Sequence, residues 1–598
     1  MTLEIAFVFA LIAATAVLLI SERLRPDLVA LLVLVLLGLT GVVGPTELFA
    51  GFSRNAVITI LALFIITDGL ERTGVTRWLG QRLQRVAAGG EASTIVVMMV
   101  ATALLSLVMN NIAAAAVLLP VTVGLARQKK LLPSKLLIPV SFGSLLGGMA
   151  TLFTTANILV SNALVEQHYQ PYGVLDFVPA GLPMAVAGIG FIALVGRRLL
   201  PERVREGRES LRPGSSLAEA YQMHELVKAV YVKPGSALAG LSLAGGGWGG
   251  KLGLNILGLS RGGVISLAPP RSETVREGDV VLFTGQIDPV ELEGYGLILT
   301  EEPSWTGQLA SDEVSLVEVT LAPRSSLAGK TLREIQFRDR YNLGVLAIWR
   351  EGNTLRDALA EIPLRFGDAL LMQGQRSRIQ QLRKNPNFLV LEEDVGEAAA
   401  LPRRGWVAIA LTLAAVGLPA LNVLPIAEAA FAAACLMVLG NCLTMDEAYE
   451  SIEWKSVFLI AGMLPLGTAI SSTGAAGLVG EWIVAGLGSW GALAVAGGLF
   501  LLATLLTQVL SGQVTPVVLA PIAIAAAEHL HADPRGMGMA VALGCSMAFL
   551  TPISHSANML VMGPGGYKFG DYARVGLPLT LVLLVVCLLG LSLFWGIR

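Results

Sequence analysis

The chain has 598 residues, of which 54% are hydrophobic and only 14% are charged, and its formal net charge is −2. A soluble globular protein carries about 25% charged residues, so the composition argues against a soluble chain and predicts one that crosses the lipid bilayer several times. The small net charge and the lack of a basic stripe also argue against nucleic acid as a partner.

The chain divides by composition into three parts. Residues 1–200 and 403–598 are strongly apolar, whereas residues 201–402 carry most of the charged side chains. A helix needs about 20 apolar residues to span a bilayer. The spans predicted on this basis lie near 3–20, 28–44, 55–70, 136–163 and 178–197 in the first half, and near 406–422, 424–443, 455–471, 537–561 and 574–595 in the second. The pattern predicts a polytopic α-helical membrane protein with an inserted soluble segment.

Each half also contains an apolar stretch that polar residues interrupt near its middle. Residues 93–127 are interrupted at Asn110-Asn111, and residues 491–530 at Ser511-Gly512-Gln513. A polar group without a partner in hydrocarbon costs several kcal/mol, so irregular backbone at that depth must face protein or a cavity. We predict two re-entrant hairpins with these residues at their tips.

The two membrane halves are predicted to be copies of one repeat. Val140–Val160 aligns without gaps on Val541–Val561 and shares the pattern Ala-Asn-x-Leu-Val. The shared Gly143 and Gly544 are expected to be close-packing positions. A repeat of five spans, an odd number, inserts its second copy upside down. The Lys and Arg residues of the loops fit this inversion and place the soluble segment in the cytoplasm, although Arg535 falls on the predicted external side.

The soluble segment is itself a duplication, at an offset of 89 residues. The stretch from Gly278-Asp279 to Gly285-Gln286 matches the stretch from Gly367-Asp368 to Gly374-Gln375. Short strands between turn signals predict two small α+β domains, over residues 215–302 and 310–398.

The polar residues of the interrupted stretches predict an ion-coupled anion site. Helix N-termini inside the membrane present N–H groups that suit an anion, while helix C-terminal carbonyls with Asn, Ser and Thr oxygens suit sodium. The core spans contain no Lys or Arg to neutralise a dianion and almost no Asp or Glu to relay protons. This composition favours sodium as the coupling ion.

Several of these polar residues have a second interpretation. Asn157 and Asn558 could cap half-helices instead of binding a ligand, and Ser106 and Thr507 could bond the carbonyl four residues earlier. His555 could contact the substrate, carry a proton, or simply pack against its neighbours.

The chain resembles the divalent anion–sodium symporter family of the ion-transporter superfamily over both membrane halves. The resemblance rests on the two hairpins, on Thr551-Pro552 in the second broken helix and on Met562–Tyr567. Asn111 and Ser511 match the hairpin-tip signatures of the family, while the residues beside them depart from it. The substrate contacts that the resemblance implies are Asn110, Asn111, Ile112, Ser511, Gly512, Gln513, Thr551, Pro552 and His555. The sodium ligands that it implies are Ser106, Asn111, Asn157, Thr507, Ser511 and Asn558.

The inserted segment resembles two TrkA C-terminal (RCK-C) domains. Such domains are regulatory, and some of them bind a nucleotide. The resemblance implies regulation from the cytoplasm and a homodimer.

These expectations converge on a secondary active transporter in the plasma (inner) membrane. It would import sulfate or a similar divalent anion with sodium, by alternating access. The alternatives are a proton-coupled or exchange-type transporter of dicarboxylates or other oxyanions and, less favoured, an RCK-regulated ion channel, although the Thr-Val-Gly-Tyr-Gly filter sequence is absent. The sequence contains no nucleophile–base constellation or phosphate loop that would predict an enzyme.

Overall fold

The computed structural model describes residues 2–598 apart from residues 22, 77, 80–81, 83–88, 203–226, 249–251, 253, 286–288, 301–310, 312, 324, 351–352, 357, 384, 386 and 392–400. The predicted boundaries of the soluble domains, at 215, 302, 310 and 398, lie outside the described residues.

Helices make up both membrane halves. The helices of the first half are α1 (Leu3–Ser21), α2 (Pro26–Thr40), α3 (Pro45–Leu48), α4 (Asn55–Arg72), α5 (Glu91–Ser106), α6 (Asn111–Gln128), α7 (Pro133–Met149), α8 (Thr155–Glu166) and α9 (Val178–Phe191). The inserted segment contains α10 (Pro289–Gly294), α11 (Phe337–Tyr341) and α12 (Arg376–Leu382). The helices of the second half are α13 (Arg403–Ala420), α14 (Ile426–Leu439), α15 (Met445–Ser451), α16 (Trp454–Ser472), α17 (Ala475–Leu487), α18 (Ala492–His529), α19 (Pro534–Cys545), α20 (Ser556–Gly565) and α21 (Phe569–Phe594).

Six stretches of described helix are long and apolar enough to cross a membrane. They are Leu3–Ser21, Asn111–Gln128, Val178–Leu199, Trp454–Ser472, Ala492–Leu510 and Phe569–Phe594. Three shorter apolar helices, α2, α5 and α14, accompany them. The helical architecture agrees with the prediction of a polytopic membrane protein.

Helices α5 and α6 form a helical hairpin whose turn is residues 107–110. At its open end the Lys129 ammonium donates hydrogen bonds to the carbonyl of Gly89 (2.7 Å) and to the hydroxyl of Thr94 (2.9 Å). At its closed end the Asn110 side chain caps α6 by accepting a hydrogen bond from the backbone N–H of Ile112 (2.9 Å). The two helices meet where the Asn pair predicts a tip, and re-entry of this hairpin into the membrane stays a prediction.

The hairpin predicted over 491–530 is not present among the described residues, because α18 runs through residues 511–513 as one helix. A single Gly costs a helix only about 1 kcal/mol, and Ser and Gln are compatible with helix interiors. Pro516 and Pro521 also lie within α18. Each removes one backbone N–H donor without ending the helix. The polar residues at 511–513 therefore did not suffice to break the chain, whereas Asn110 in the first half acts as a helix cap.

Two predicted spans are each divided by a break at their middle. Residues 136–163 become α7 and α8, separated by residues 150–154, and residues 537–561 become α19 and α20, separated by residues 546–555. The breaks occupy corresponding positions in the two halves and expose helix ends inside the bundle. They are the irregular backbone on which the candidate site is built.

Glycines let the two halves pack their helices in the same way. A Cβ at Gly143 would contact the backbone of Met99, and one at Gly544 would contact the backbone of Phe500. This confirms the expectation that both are close-packing positions.

Two tyrosines join the halves through the first turn of each broken helix. The Tyr567 hydroxyl donates to the carbonyl of Ser134 (2.7 Å) and accepts from the N–H of Ile138 (3.0 Å), so it enters the hydrogen-bond ladder of α7. In the other direction, the Tyr172 hydroxyl donates to the carbonyl of Arg535 (2.5 Å). Ser134 and Arg535 are equivalent under the 401-residue offset of Val140–Val160 on Val541–Val561. The contacts are therefore reciprocal.

Arg535, the basic residue on the predicted external side, is held by neighbours from both halves. Its guanidinium lies over the rings of Tyr172 (5.6 Å) and Trp595 (5.1 Å) and pairs with Asp176 (2.5 Å). Cation–π contacts and an ion pair stabilise its charge locally.

The inserted segment forms two five-stranded antiparallel sheets. The strands of the first are β1 (Lys228–Val232), β2 (Asn255–Arg261), β3 (Val264–Leu267), β4 (Val280–Thr284) and β5 (Leu297–Thr300). The strands of the second are β6 (Val314–Leu321), β7 (Gly344–Arg350), β8 (Asn353–Leu355), β9 (Ala369–Gln375) and β10 (Phe388–Val390). Their orders, β3-β2-β4-β1-β5 and β10-β6-β9-β7-β8, describe one topology read from opposite edges.

An arginine–aspartate pair recurs at the same place in both sheets. The Arg261 guanidinium bonds both oxygens of Asp279 (2.9 and 2.9 Å), and Arg350 bonds both oxygens of Asp368 (2.8 and 2.7 Å). These bidentate hydrogen bonds raise the pKa of Arg261. Both pairs obey the 89-residue offset of the sequence, so the duplication extends to side-chain contacts.

Candidate functional site

The turn of the first hairpin lies against the break between α7 and α8. The Ser106 hydroxyl donates to Asn111 Oδ1 at 2.5 Å. A Cβ at Gly148 would lie 2.8 Å from Asn111 Oδ1 and 2.8 Å from Thr154 Cγ2, so this glycine lets the two side chains approach. The structure brings the predicted residues Ser106 and Asn111 together with Thr154, which the sequence did not single out.

Two buried oxygens at this break have no hydrogen-bond partner among the described residues. Asn157 is fully buried, and its Nδ2 donates to the carbonyl of Thr151 (2.6 Å). Its Oδ1 is buried without a partner, and so is Oγ1 of Thr154. An unsatisfied buried polar oxygen costs about 1–3 kcal/mol, and a cation bound to both oxygens would remove that cost.

The break of the second half is held closed by Asn558. Its Nδ2 donates to the carbonyls of Ala548 (2.7 Å) and Thr551 (3.2 Å), and its Oδ1 accepts from the Ser141 hydroxyl of α7 (2.6 Å). Its backbone carbonyl accepts from the Tyr572 hydroxyl (2.7 Å). Asn157 and Asn558 thus hold equivalent breaks, but only the oxygen of Asn157 is left without a partner.

His555 is the N-cap of α20. Its Nδ1 accepts a hydrogen bond from the backbone N–H of Ala557 (3.1 Å), which requires an unprotonated Nδ1. Thr551 stabilises the same turn, because its Oγ1 accepts a hydrogen bond from the backbone N–H of Ser554 (3.1 Å). Pro552 is buried beside it. The His555 ring therefore has a structural role as the cap of α20.

Thr507 and Gln508 of α18 lie at the same break. The Thr507 hydroxyl is buried beside the thiol of Cys545. Gln508 Nε2 donates to the carbonyls of Thr504 (2.9 Å) and Met547 (2.8 Å), and its Oε1 is buried with no hydrogen-bond partner in the described part of the chain. Gln508 is a candidate residue that the sequence interpretation missed.

The residues predicted as the second tip do not form a turn. Ser511 lies in α18, and its side chain is outside the described part of the structure. Gly512 is half-buried within the same helix, and Gln513 Nε2 donates to the hydroxyl of Ser456 (3.4 Å) on α16. In the second half, a continuous α18 therefore packs beside the break between α19 and α20.

The segments that surround the two breaks carry no full charge. Residues 106–112, 150–157, 504–513 and 546–558 contain no Lys, Arg, Asp or Glu. Neutral amide, hydroxyl and carbonyl oxygens suit a hard monovalent cation, and the N-termini of α6 and α20 suit an anion. The site can therefore hold opposite charges side by side without a charged side chain.

Two signals could have identified the missed residues in the sequence. The 401-residue offset pairs Thr154 with His555, which was already a predicted residue, and a second polar residue adjoins Thr507 at 508. Ser141 had no such signal, since the position equivalent to it in the second half is Ala542.

Comparison with known proteins identifies the family. The family model described as the citrate transporter, CitMHS, matches residues 16–544. An uncharacterized transporter of Synechocystis is 33% identical over 605 residues, covering 100% of this chain and 98% of that protein. An uncharacterized transporter of Escherichia coli is 34% identical over 601 residues, covering 98% of each. Sodium/sulfate cotransporter 2 of Chlamydomonas reinhardtii is 26% identical over 378 residues, which are 60% of this chain and 42% of that protein.

These matches confirm a multi-pass membrane transporter of the ion-transporter superfamily and not an enzyme. The matching model describes citrate transporters, and the relatives include sodium/sulfate cotransporters, so the comparisons support the resemblance to the divalent anion–sodium symporters in part. With a family model covering most of its length and two full-length relatives above 30% identity, the chain belongs to the CitMHS citrate transporter family.

Proposed function

We propose that this transporter couples the uptake of a small multivalent oxyanion to sodium, with sulfate as the first choice of substrate. The observation that carries the proposal is the pair of buried, unpartnered oxygens, Thr154 Oγ1 and Asn157 Oδ1, beside the Ser106–Asn111 hydrogen bond. A sodium ion would satisfy both oxygens and add a positive charge to a site that has none.

The proposed sodium site comprises Ser106, Asn111, Thr154 and Asn157. A second sodium site, at Thr507, Ser511 and Asn558, has weaker support because Asn558 Oδ1 accepts the Ser141 hydroxyl, whereas the equivalent Asn157 Oδ1 has no partner among the described residues. Gln508, with its unpartnered Oε1, is a better oxygen ligand at the second break.

The proposed anion lies beside the bound sodium, where the N-termini of α6 and α20 supply partial positive charge. The sodium/sulfate cotransporters of Chlamydomonas among the relatives favour sulfate, and the family description favours citrate. Both substrates are multivalent oxyanions, and neither requires an Arg clamp if sodium supplies the charge.

The alternative, proton-coupled or exchange-type transport of dicarboxylates, has less support in the geometry. His555 is the ionisable side chain within the segments at the breaks, and its Nδ1 is engaged as the cap of α20. Protonating that nitrogen would remove the cap, so acid should impair the site rather than drive it. An ion channel regulated by RCK-C domains is supported by nothing beyond the resemblance of the inserted segment.

Uptake into proteoliposomes tests the coupling ion. We expect accumulation of labelled sulfate under an inward sodium gradient, with citrate competing or replacing it, and we expect lithium or potassium gradients to fail. Acidifying the outside without sodium should not raise uptake. Sodium-independent uptake that rises with acid would overturn the proposal in favour of proton coupling.

We further propose that the inserted segment is a pair of RCK-C-like regulatory domains that can bind a nucleotide. In this proposal the domains lie in the cytoplasm and the transporter is a homodimer in the plasma membrane. Contacts of the second domain with transport helices support a regulatory role. Glu318 of β6 faces Arg127 of α6 (4.0 Å), and a Cβ at Gly367 would lie 2.7 Å from the carbonyl of Met559 in α20. Phe366 and Leu391 pack into the membrane core. The second domain therefore contacts α6 and α20, two helices whose N-termini lie at the proposed site.

Substituting Gly367 by Ala should alter transport through this contact. Gly367 has φ +94° and abuts Met559, whereas its equivalent in the first domain, Gly278, has φ +86° and nothing within 4 Å. Both substitutions impose similar backbone strain, so Gly278→Ala is a matched control. We expect Gly367→Ala to change the uptake rate about fivefold relative to Gly278→Ala, the low end of typical coupling free energies. Equal rates in the two variants would argue against regulation through this contact.

A further inference from the structure

A cavity of about 250 Å³ lies in the second soluble domain, away from the membrane site. It is lined by Arg340, Tyr341, Arg378, Gln381, Leu382 and Asn385. These residues come from the end of α11, from α12 and from the turn after it. The lining thus offers two guanidinium groups, a phenol and two amides, and it contains no carboxylate.

Tyr341 shows that the polar lining is not explained by the fold alone. Its ring packs against Phe337 and Phe388, and Arg340 lies over its face at 5.6 Å. Its hydroxyl, however, is buried without a hydrogen-bond partner among the described residues. A buried unpaired hydroxyl is costly, so a ligand oxygen that reached it from the cavity would stabilise the site.

The first domain serves as an internal control for what this topology requires. At the 89-residue offset, Leu252 occupies the place of Tyr341, and it is buried in the apolar core of the first domain. Helix α10, which follows β4 as α12 follows β9, has the sequence Pro-Val-Glu-Leu-Glu-Gly and no basic residue. The first domain keeps a basic residue, Lys251, at the position of Arg340, but it has an apolar residue in place of Tyr341 and no arginine in the helix, so the phenol and Arg378 are particular to the second domain.

We propose that this cavity binds a small multivalent oxyanion. Guanidinium groups bind carboxylate, sulfate and phosphate oxygens through charge-assisted hydrogen bonds. Pockets that bind drug-sized ligands have volumes of about 300–1,000 Å³. The smaller volume here suits an inorganic oxyanion or a di- or tricarboxylate and is too small for a dinucleotide.

The location of the cavity gives such binding a route to the membrane. Strand β9 begins two residues after Gly367, which abuts Met559 of α20, and ends where α12 begins. One strand therefore connects the cavity to the contact between Gly367 and Met559. The binding site itself does not depend on which ion or anion the membrane half transports.

Equilibrium dialysis of the full-length protein in detergent tests the site. Labelled sulfate, phosphate and citrate are the probes, and they distinguish inorganic from carboxylate ligands. The wild type should bind one more anion per chain than the Arg340→Gln/Arg378→Gln variant. The exposed Lys330 lies outside the cavity, so Lys330→Gln removes one positive charge and should bind as the wild type does.

Tyr341→Phe provides a second variant that keeps the ring packing and removes only the hydroxyl. We expect it to weaken binding about fivefold, the effect of one lost hydrogen bond. Equal anion stoichiometry in the wild type and the double arginine variant would overturn the proposal, as would a wild type that binds none of the three probes at this site. The measurement requires no transport. Anion binding at this cavity can therefore be absent while sodium-coupled uptake is observed, and it can be present while sodium-coupled uptake is not.

Discussion

Replacing Thr154 by Val should weaken sodium binding by the protein without destabilising its sodium-free form. The substitution is nearly isosteric and removes a buried hydroxyl that has no partner. Sodium-free thermal stability should therefore stay the same or rise by up to about 1 kcal/mol. The half-saturating sodium concentration for uptake should rise about tenfold, which corresponds to a loss of roughly 1.4 kcal/mol of binding free energy.

Thr102→Val is the matched control for this experiment. Thr102 is a fully buried threonine of the first half, and its hydroxyl donates to the carbonyl of Met98 in its own helix (2.6 Å). We expect Thr102→Val to leave the sodium dependence unchanged. Uptake by Thr154→Val with wild-type sodium dependence would remove Thr154 from the proposed site, and the sodium-induced rise in Tm gives an independent measure.

The architecture could be predicted from the sequence because hydropathy and internal repetition are strong signals. Spans such as 55–70 and 455–471 correspond closely to α4 and α16, since apolar length is set by the bilayer. The duplication at offset 89 in the inserted segment reappears as two sheets of one topology. Patterns of this kind extend over many residues and do not depend on one side chain.

The hairpin of the second half shows where such reasoning fails. Polar residues at 511–513 resemble a tip, yet a helix tolerates them when the residues on both sides keep its hydrogen bonds. The first hairpin differs because Asn110 closes a turn by accepting the N–H of Ile112. A capping residue, and not polarity by itself, distinguishes a break from a continuous helix.

Partners of individual polar atoms are the part that sequence could not supply. Asn157 and Asn558 are equivalent under the repeat, and the sequence left open whether each caps a helix or binds a ligand. In the structure both amide nitrogens hold a break, while only the Asn558 oxygen is engaged, by Ser141. That difference depends on a residue of α7, about 400 positions away from Asn558, whose equivalent is Ala542.

The same substitution at these two asparagines should therefore have different consequences. Asn558→Leu removes three hydrogen bonds, two from its amide to the carbonyls of Ala548 and Thr551, which keep the Ser554 hydroxyl, and one from the Ser141 hydroxyl. A hydrogen bond contributes about 1 kcal/mol net, so the variant should lose about 3 kcal/mol of stability. Its apparent Tm in detergent should fall sharply in the presence and in the absence of sodium.

Asn157→Leu should instead lose the sodium response at a smaller cost in stability. It leaves one carbonyl, that of Thr151, without its donor, and it also removes an oxygen that had no partner. The apparent Tm without sodium should fall less than in Asn558→Leu, and added sodium should no longer raise it. Ser141→Ala, which deletes one hydrogen bond to Asn558, should cost about 1 kcal/mol and leave the sodium response intact. Equal losses of sodium-free stability in the two asparagine variants would contradict the distinction between a structural Asn558 and a ligand-binding Asn157.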